Sequence, residues 1–292
     1  MWCVQRRLPA GRWREPEAVL TERQCQAASD LLWELWQQGR RAAELPVDLR
    51  PVTREEGYAV QALLERRSAH PVFGWKIAAT SEAGQRHIGV DGPLAGRLLR
   101  ERVATAGSTL KLGANHMRVA EPEFAFRIGR PLIPRASSYS LDEVLAAVDS
   151  LHPAIEVPDS RYDDFARVGA AQLIADNACA HQFVLGPAAT AQWRTRNLSE
   201  HVVTGIVAGK LRREGTGANV LGDPRAALTW LANELSRLGI TVAAGQVVTT
   251  GTCVAPLPVE PGDKTTADFG DLGSVAISFE REQPIRESVS RA

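Results

Sequence analysis

The stretch VAEPEFAFRIGRPL, residues 119–132, decides how the rest of the chain is read. Side chains alternate along a β-strand with a period of two. On a strand here, Pro122, Phe124, Phe126 and Ile128 share one face, and Glu121 and Glu123 share the other. One face is core. The other carries two like charges side by side, which repel unless one is protonated or a cation sits between them.

A partner lies downstream. In HPAIEV, residues 152–157, Glu156 is flanked by Ile155 and Val157, again in a strand pattern. The segment between holds the capping box SLDE, Ser140 to Glu143, which opens a helix through Val144, Leu145, Val148 and Leu151. A strand, a helix and a second strand can set Glu156 beside the first pair. Three converging carboxylates make an all-oxygen site of the kind that Mg²⁺ or Mn²⁺ takes. The alternative is that Glu121 and Glu123 line a solvated strand face, with Glu156 an unrelated charge. Spacing alone leaves both open.

Composition excludes several classes. The 292 residues carry 34 Lys+Arg and 34 Asp+Glu, so no net field draws the chain to nucleic acid or an anionic surface. No apolar run approaches the roughly 18 residues needed to span a bilayer. The Arg-rich opening, MWCVQRRLPAGRWREPE, has no apolar h-region and does not read as a secretory signal. Cys3, Cys25, Cys179 and Cys253 are scattered without a CxxC pair, which points to a reducing, cytoplasmic setting.

Along the chain the texture changes near residue 72. Before it, the boxes TERQ (Thr21 to Gln24) and TREE (Thr53 to Glu56) open helices, and Pro46 and Pro51 break the chain between them. After it, VFGWKIAA, FAFRI, HPAIEV, QFVLG, VVTTGTCV and SVAISF read as strands. A second clear helix there begins at Asp223 with Pro224 in the first turn and closes at Gly239. The expectation is an α+β protein: an arm at 1–19, a helical unit at 20–71, a catalytic domain at 72–281 and a tail at 282–292. GTGANVLG (215–222) has the wrong glycine spacing for a dinucleotide loop, and GIVAGKL (205–211) lacks a residue of the P-loop. No G-x-S-x-G elbow and no HExxH motif occurs.

GWKIAATS, IGVDGPLAGRLL, EPEFAF, AIEVPDSRY, DNACAHQFVLG and GDKTTADFGDLGSVAISF occur in the order seen in one family. The chain resembles the 2-keto-4-pentenoate hydratase and 2-oxo-3-hexenedioate decarboxylase group of the fumarylacetoacetate hydrolase superfamily, over roughly residues 20–280. The resemblance implies a mixed β-roll with helices outside, a Mg²⁺ or Mn²⁺ cofactor and a homo-oligomer, with a paired decarboxylase or hydratase subunit as a further partner. It matches Glu121, Glu123 and Glu156 to the metal ligands and Lys76 and Asp91 to catalytic positions. Ser160, Arg161, Thr250, Gly251 and Thr252 match substrate-binding positions. His181 stands where many relatives carry a small or uncharged residue, and is a further candidate for proton transfer.

Each of these residues has a plainer reading. Lys76, with a pKa lowered by burial or a cation, suits proton shuttling, or it snorkels from a strand end. Asp91 positions water, or is a turn aspartate before Gly92-Pro93. Arg161 clamps a substrate carboxylate, or bridges to Asp159 or Asp163. The activity implied is addition of water to a 2-hydroxy-2,4-dienoate, giving a 4-hydroxy-2-oxo acid in aromatic-compound catabolism. The alternatives are decarboxylation of a dienoate with a second carboxylate, a non-catalytic partner subunit, and C–C bond hydrolysis, which needs a His–carboxylate pair that is not evident although His70 and His87 lie near the right part of the chain. An extra cation in the pocket, Arg161 or His181, would favour the decarboxylase.

Overall fold

The computed structural model describes residues 20–281. The arm and tail proposed for 1–19 and 282–292 lie outside the described residues. Helix α1 spans Glu22–Gln38 and α2 spans Arg54–Ala62. Both start at the capping boxes read from the sequence, with Thr21 paired to Gln24 and Thr53 to Glu56. Each box satisfies two backbone N–H groups that a helix start leaves orphaned. Glu56 does more: its other bonds go to the N–H groups of Leu20 and Val52, tying the chain entry to α2.

Strands and helices then follow in the order β1 (Gly74–Ala78), α3 (Glu82–Ile88), β2 (Leu94–Leu98), β3 (Val103–Thr105), β4 (Thr109–Leu110) and β5 (Val119–Ile128). The chain continues through α4 (Leu141–Ala147), β6 (Val148–Val157), α5 (Gly169–Ala175), β7 (Gln182–Leu185), β8 (Val202–Val207) and β9 (Leu211–Thr216). It ends with α6 (Pro224–Arg237), β10 (Val247–Thr252), β11 (Leu257–Pro258), β12 (Lys264–Asp268) and β13 (Ser274–Phe279). The stretch that resembled a failed P-loop is the β8–β9 hairpin, with Val207 and Leu211 as its closing pair.

The strands form two mixed sheets. The larger runs β2-β1-β10-β5-β6-β7-β3, with β11 paired to β5, and the smaller runs β4-β13-β12-β8-β9. β5 therefore sits in the middle of the larger sheet, between β10 and β6. Its even-numbered face enters the core as read: Phe124 and Phe126 are fully buried, packed on Phe269 and Trp193 respectively. Each such aromatic contributes about 1.5–3 kcal/mol by burial. The smaller sheet covers part of this face, since a Cβ on Gly205 of β8 would lie 2.7 Å from Leu257 and 3.2 Å from Pro122.

The odd-numbered face is also covered. Glu123 and Glu156 have no solvent exposure. The reading of Glu121 and Glu123 as a solvated strand face is thereby overturned for Glu123, while Glu121 is half-buried; the turn at Asn177 lies over Gly96 and Lys76 on that side.

Candidate metal centre

Antiparallel pairing of β5 with β6 sets Glu121 directly opposite Glu156, and Glu123 opposite Ala154. Parity then does the rest: all three glutamates emerge on one face, with carboxylate oxygens within 4.8 Å of one another. Glu121 is the partly exposed member.

Lys76 enters from β1, two strands away. Its ammonium lies 3.2 Å from Glu156 Oε2 and donates to the Ala178 carbonyl at 2.9 Å. The expected lowering of its pKa is reversed. Burial alone would lower it, but Glu156, Glu121 and Glu123 outweigh that and raise it.

The carboxylates show the converse strain. Burial and then the Glu156 charge push Glu121 up to about 7, with Lys76 pulling the other way. Glu123 is raised well above the carboxylate range by burial, Glu156 and Glu121. Glu156 is raised by burial against the pull of Lys76. One ammonium does not neutralise three clustered carboxylates, two of them fully buried.

Glu123 is anchored through one oxygen only. Thr249 Oγ1 and the Gly251 N–H, the latter at 2.9 Å, both donate to Oε2. A register shift in β10 between Thr249 and Thr252 lets two nearby residues reach the same atom. Glu123 Oε1 and Glu156 Oε1 are buried without a hydrogen-bond partner. Buried acceptors rarely stay orphaned, since each costs about 1–3 kcal/mol. Orphaned oxygens, an all-carboxylate donor set and raised pKa values together fit a hard divalent cation held by Glu121, Glu123 and Glu156.

The other sequence candidates divide. Gly251 belongs to the cluster: its φ of +94° and a Cβ position 2.1 Å from Thr80 Oγ1 admit no side chain. Thr250 and Thr252 turn elsewhere, donating to the carbonyls of Phe124 and Val254 at 3.1 and 2.6 Å. Thr249, one residue before the TGT segment, is the threonine that touches Glu123 and was missed. Its position two residues before Gly251 on a strand was the available signal.

Asp91 is not brought to the cluster. Its side chain is 88% exposed and faces Arg54 at 3.5 Å, as a turn aspartate does. Arg161 bridges to the carboxylate of neither Asp159 nor Asp163, although it donates to the Asp159 carbonyl at 3.0 Å. It pairs with buried Asp176, which also accepts from Ser160 Oγ at 2.7 Å. His181 lines a cavity of about 420 Å³ together with Trp36, Arg41, Arg102 and Arg161. Burial, then Arg161 and Arg102, push its pKa down to about 4, so it is neutral there.

The fold and the carboxylate cluster thus define an α+β protein with an all-oxygen candidate metal centre. The family model described as fumarylacetoacetate (FAA) hydrolase C-terminal matches residues 99–279. The 2-keto-4-pentenoate hydratase of Paraburkholderia xenovorans (strain LB400) is 31% identical over 269 residues, covering 90% of this chain and 98% of the relative. A 4-oxalocrotonate decarboxylase of Pseudomonas sp. (strain CF600) is 32% identical over 240 residues, 80% of this chain and 88% of the relative. Among solved structures, 4-oxalocrotonate decarboxylase from Pseudomonas putida G7, complexed with magnesium and adipate, superposes with a TM-score of 0.81. It is 29% identical, covering 89% of this chain and 98% of the other. The chain belongs to the fumarylacetoacetate hydrolase family.

Proposed function

We propose that this protein is a metal-dependent hydro-lyase that adds water to a 2-hydroxy-2,4-dienoate of the 2-keto-4-pentenoate type, giving a 4-hydroxy-2-oxo acid. The observation that carries the reading is the meeting of Glu121, Glu123 and Glu156 with Lys76 at one buried point. The three glutamates would hold Mg²⁺ or Mn²⁺. When bound, the cation supplies Lewis-acid stabilisation of negative charge on the substrate's 2-oxygen.

The chain's own residues do the remaining work. Thr249 and Gly251 fix Glu123 in one orientation, leaving its second oxygen free to ligate. Lys76 Nζ, held as an ammonium between Glu156 and the Ala178 carbonyl, donates a hydrogen bond to the 2-oxygen as the hydroxyl proton leaves it and the terminal carbon C5 gains a proton, so that the dienol becomes an unsaturated ketone; water then adds across the remaining double bond, its hydroxyl to C4 and its proton to C3. Gly251 and Thr80 shape a wall against which the substrate's carboxylate lies.

Arg161 favours the hydratase over the decarboxylase. Its guanidinium is committed to Asp176 and to the carbonyls of Asp159, Asp176 and Ala180, so it does not serve as a clamp for a second substrate carboxylate. The decarboxylase remains the second reading, favoured by similarity to the magnesium- and adipate-bound decarboxylase structure. We extend the proposal to a cytoplasmic homo-oligomer, with a paired family enzyme as a further partner, as the resemblance implies. Loss of dienoate absorbance with Mg²⁺, and its abolition by chelator, tests the reading; consumption unaffected by chelator overturns it.

A further inference from the structure

Three consecutive non-glycine residues, Asn177, Ala178 and Cys179, have φ values of 55°, 50° and 62°. This left-handed region is costly for L-residues, which visit it singly as a rule. Such strain persists only where the surroundings over-determine it. Asn177 and Ala178 are almost fully buried.

The surroundings do hold it. Asn177 clasps the backbone of Arg97 from both sides, accepting from its N–H at 2.6 Å and donating to its carbonyl at 2.8 Å. Asp176, just before the turn, is clamped by Arg161 and Ser160, and accepts from the Arg161 N–H at 3.0 Å. The Asp159 N–H donates to the Cys179 carbonyl at 3.0 Å, closing the far end. The middle of the turn presents the Ala178 carbonyl to Lys76.

The neighbouring strand is cut to fit. Gly96 of β2 is the register partner of Lys76. A Cβ there would lie 2.4 Å from the Asn177 carbonyl oxygen and 3.0 Å from Lys76 Cδ. The lysine stem therefore runs through a slot floored by Gly96 and capped by the turn.

Resting on the metal-and-lysine reading above, we propose that the left-handed turn at 177–179, with Asp176 before it, is a positioning element for Lys76. Asp176 and Asn177, anchored on Arg161, Ser160 and Arg97, aim the Ala178 carbonyl and so fix where the lysine ammonium stands beside Glu156. Neither Asp176 nor Asn177 is assigned contact with substrate. The anchors hold the placement: without them the carbonyl would move, and the ammonium would follow it.

The test uses the full-length protein and two variants. Asn177→Ala removes both bonds to Arg97. Asn177→Gly removes the same two bonds but takes the φ of 55° without strain, so it folds even where the alanine variant fails. Crystal structures report the Lys76 Nζ position; kinetics report kcat and KM; calorimetry reports Mg²⁺ binding. The expected result is an ammonium displaced by about 1 Å, kcat lower by about 10- to 100-fold, and KM and Mg²⁺ affinity nearly unchanged. Asn177→Gly is expected to lose kcat while keeping more of its Tm than Asn177→Ala, which a merely structural role, with kcat falling only in step with Tm, does not produce. A folded variant with the ammonium unmoved and kcat unchanged overturns the proposal. So does a kcat loss matched by the loss of folded protein. Should the wild-type protein turn over no dienoate, the functional reading fails, and the Nζ position in the crystals still decides the positioning role.

Discussion

Glu121 on β5 and Glu156 on β6 are register partners, facing each other across the middle of the larger sheet. Like charges directly opposite destabilise a sheet. The pair is tolerable when a cation joins it, and that single relationship generates the first prediction. Mg²⁺ is expected to raise the Tm of the wild-type protein, since a ligand bound only to the folded state stabilises it. Glu123→Ala is expected to fold, to lose most of that shift and to lose chelator-sensitive turnover. Thermal melts with and without Mg²⁺ check this; an unaltered shift and rate refute the ligand assignment.

Lys76 offers a separable effect. Lys76→Ala is expected to lower kcat by about 10²–10⁴-fold, the range of general acid–base catalysis. Mg²⁺ affinity is expected to change far less, because the three carboxylates remain. Metal-free Lys76→Ala is also expected to be less stable than the wild type, since it leaves buried carboxylates without their one ammonium. Steady-state kinetics beside calorimetry measure the split, and an unaltered rate removes the lysine from the mechanism.

Thr249 supports Glu123 without being a ligand itself. Thr249→Val keeps the shape and removes the hydroxyl. Outer partners of this kind are worth about 10- to 100-fold in metal affinity, and that weakening is the expected outcome. Gly251→Ala is expected to be harsher, combining a φ of +94° with a clash at Thr80. Mg²⁺ titrations of the two variants test the ranking.

His181 predicts a pH dependence of stability. Burial, then Arg161 and Arg102, depress its folded pKa from 6.5 to about 4. The unfolded chain therefore binds the extra proton first. The contribution is fully present above pH 6.5 and is lost as pH falls toward 4, to a total of about 3 kcal/mol. His181→Phe, which preserves an aromatic beside Trp36, is expected to flatten this part of the profile. Denaturant melts between pH 7 and pH 4, at about unit steps, measure it; an unchanged slope contradicts it.

Much of this was legible from local rules. The capping boxes at Thr21, Thr53 and Ser140 all form, because each satisfies its own helix start regardless of tertiary context. Glu121 and Glu123 share a face because strand parity is local. What sequence could not give was partnership across the fold. Arg161 pairs with the Asp176 carboxylate, 15 residues on, rather than with that of the nearer Asp159 or Asp163. Asp91, inside a recognisable motif, stays on the surface with Arg54. Helix α5 escaped notice because its N-cap, Val168, makes no side-chain capping bond. Helix α3 has a capping serine, Ser81, but no buried residues to give it an apolar stripe. The left-handed turn at 177–179 carries no glycine to announce it.

The central claim is that the carboxylate cluster with Lys76 serves hydration. The most direct test is the mass of the product formed from 2-hydroxypenta-2,4-dienoate and from its dicarboxylate analogue, with Mg²⁺ and with chelator. Addition of one water to the monocarboxylate, abolished by chelator, is the predicted result. Loss of carbon dioxide from the diacid, with the monocarboxylate untouched, would contradict it and transfer the site to the decarboxylase reading.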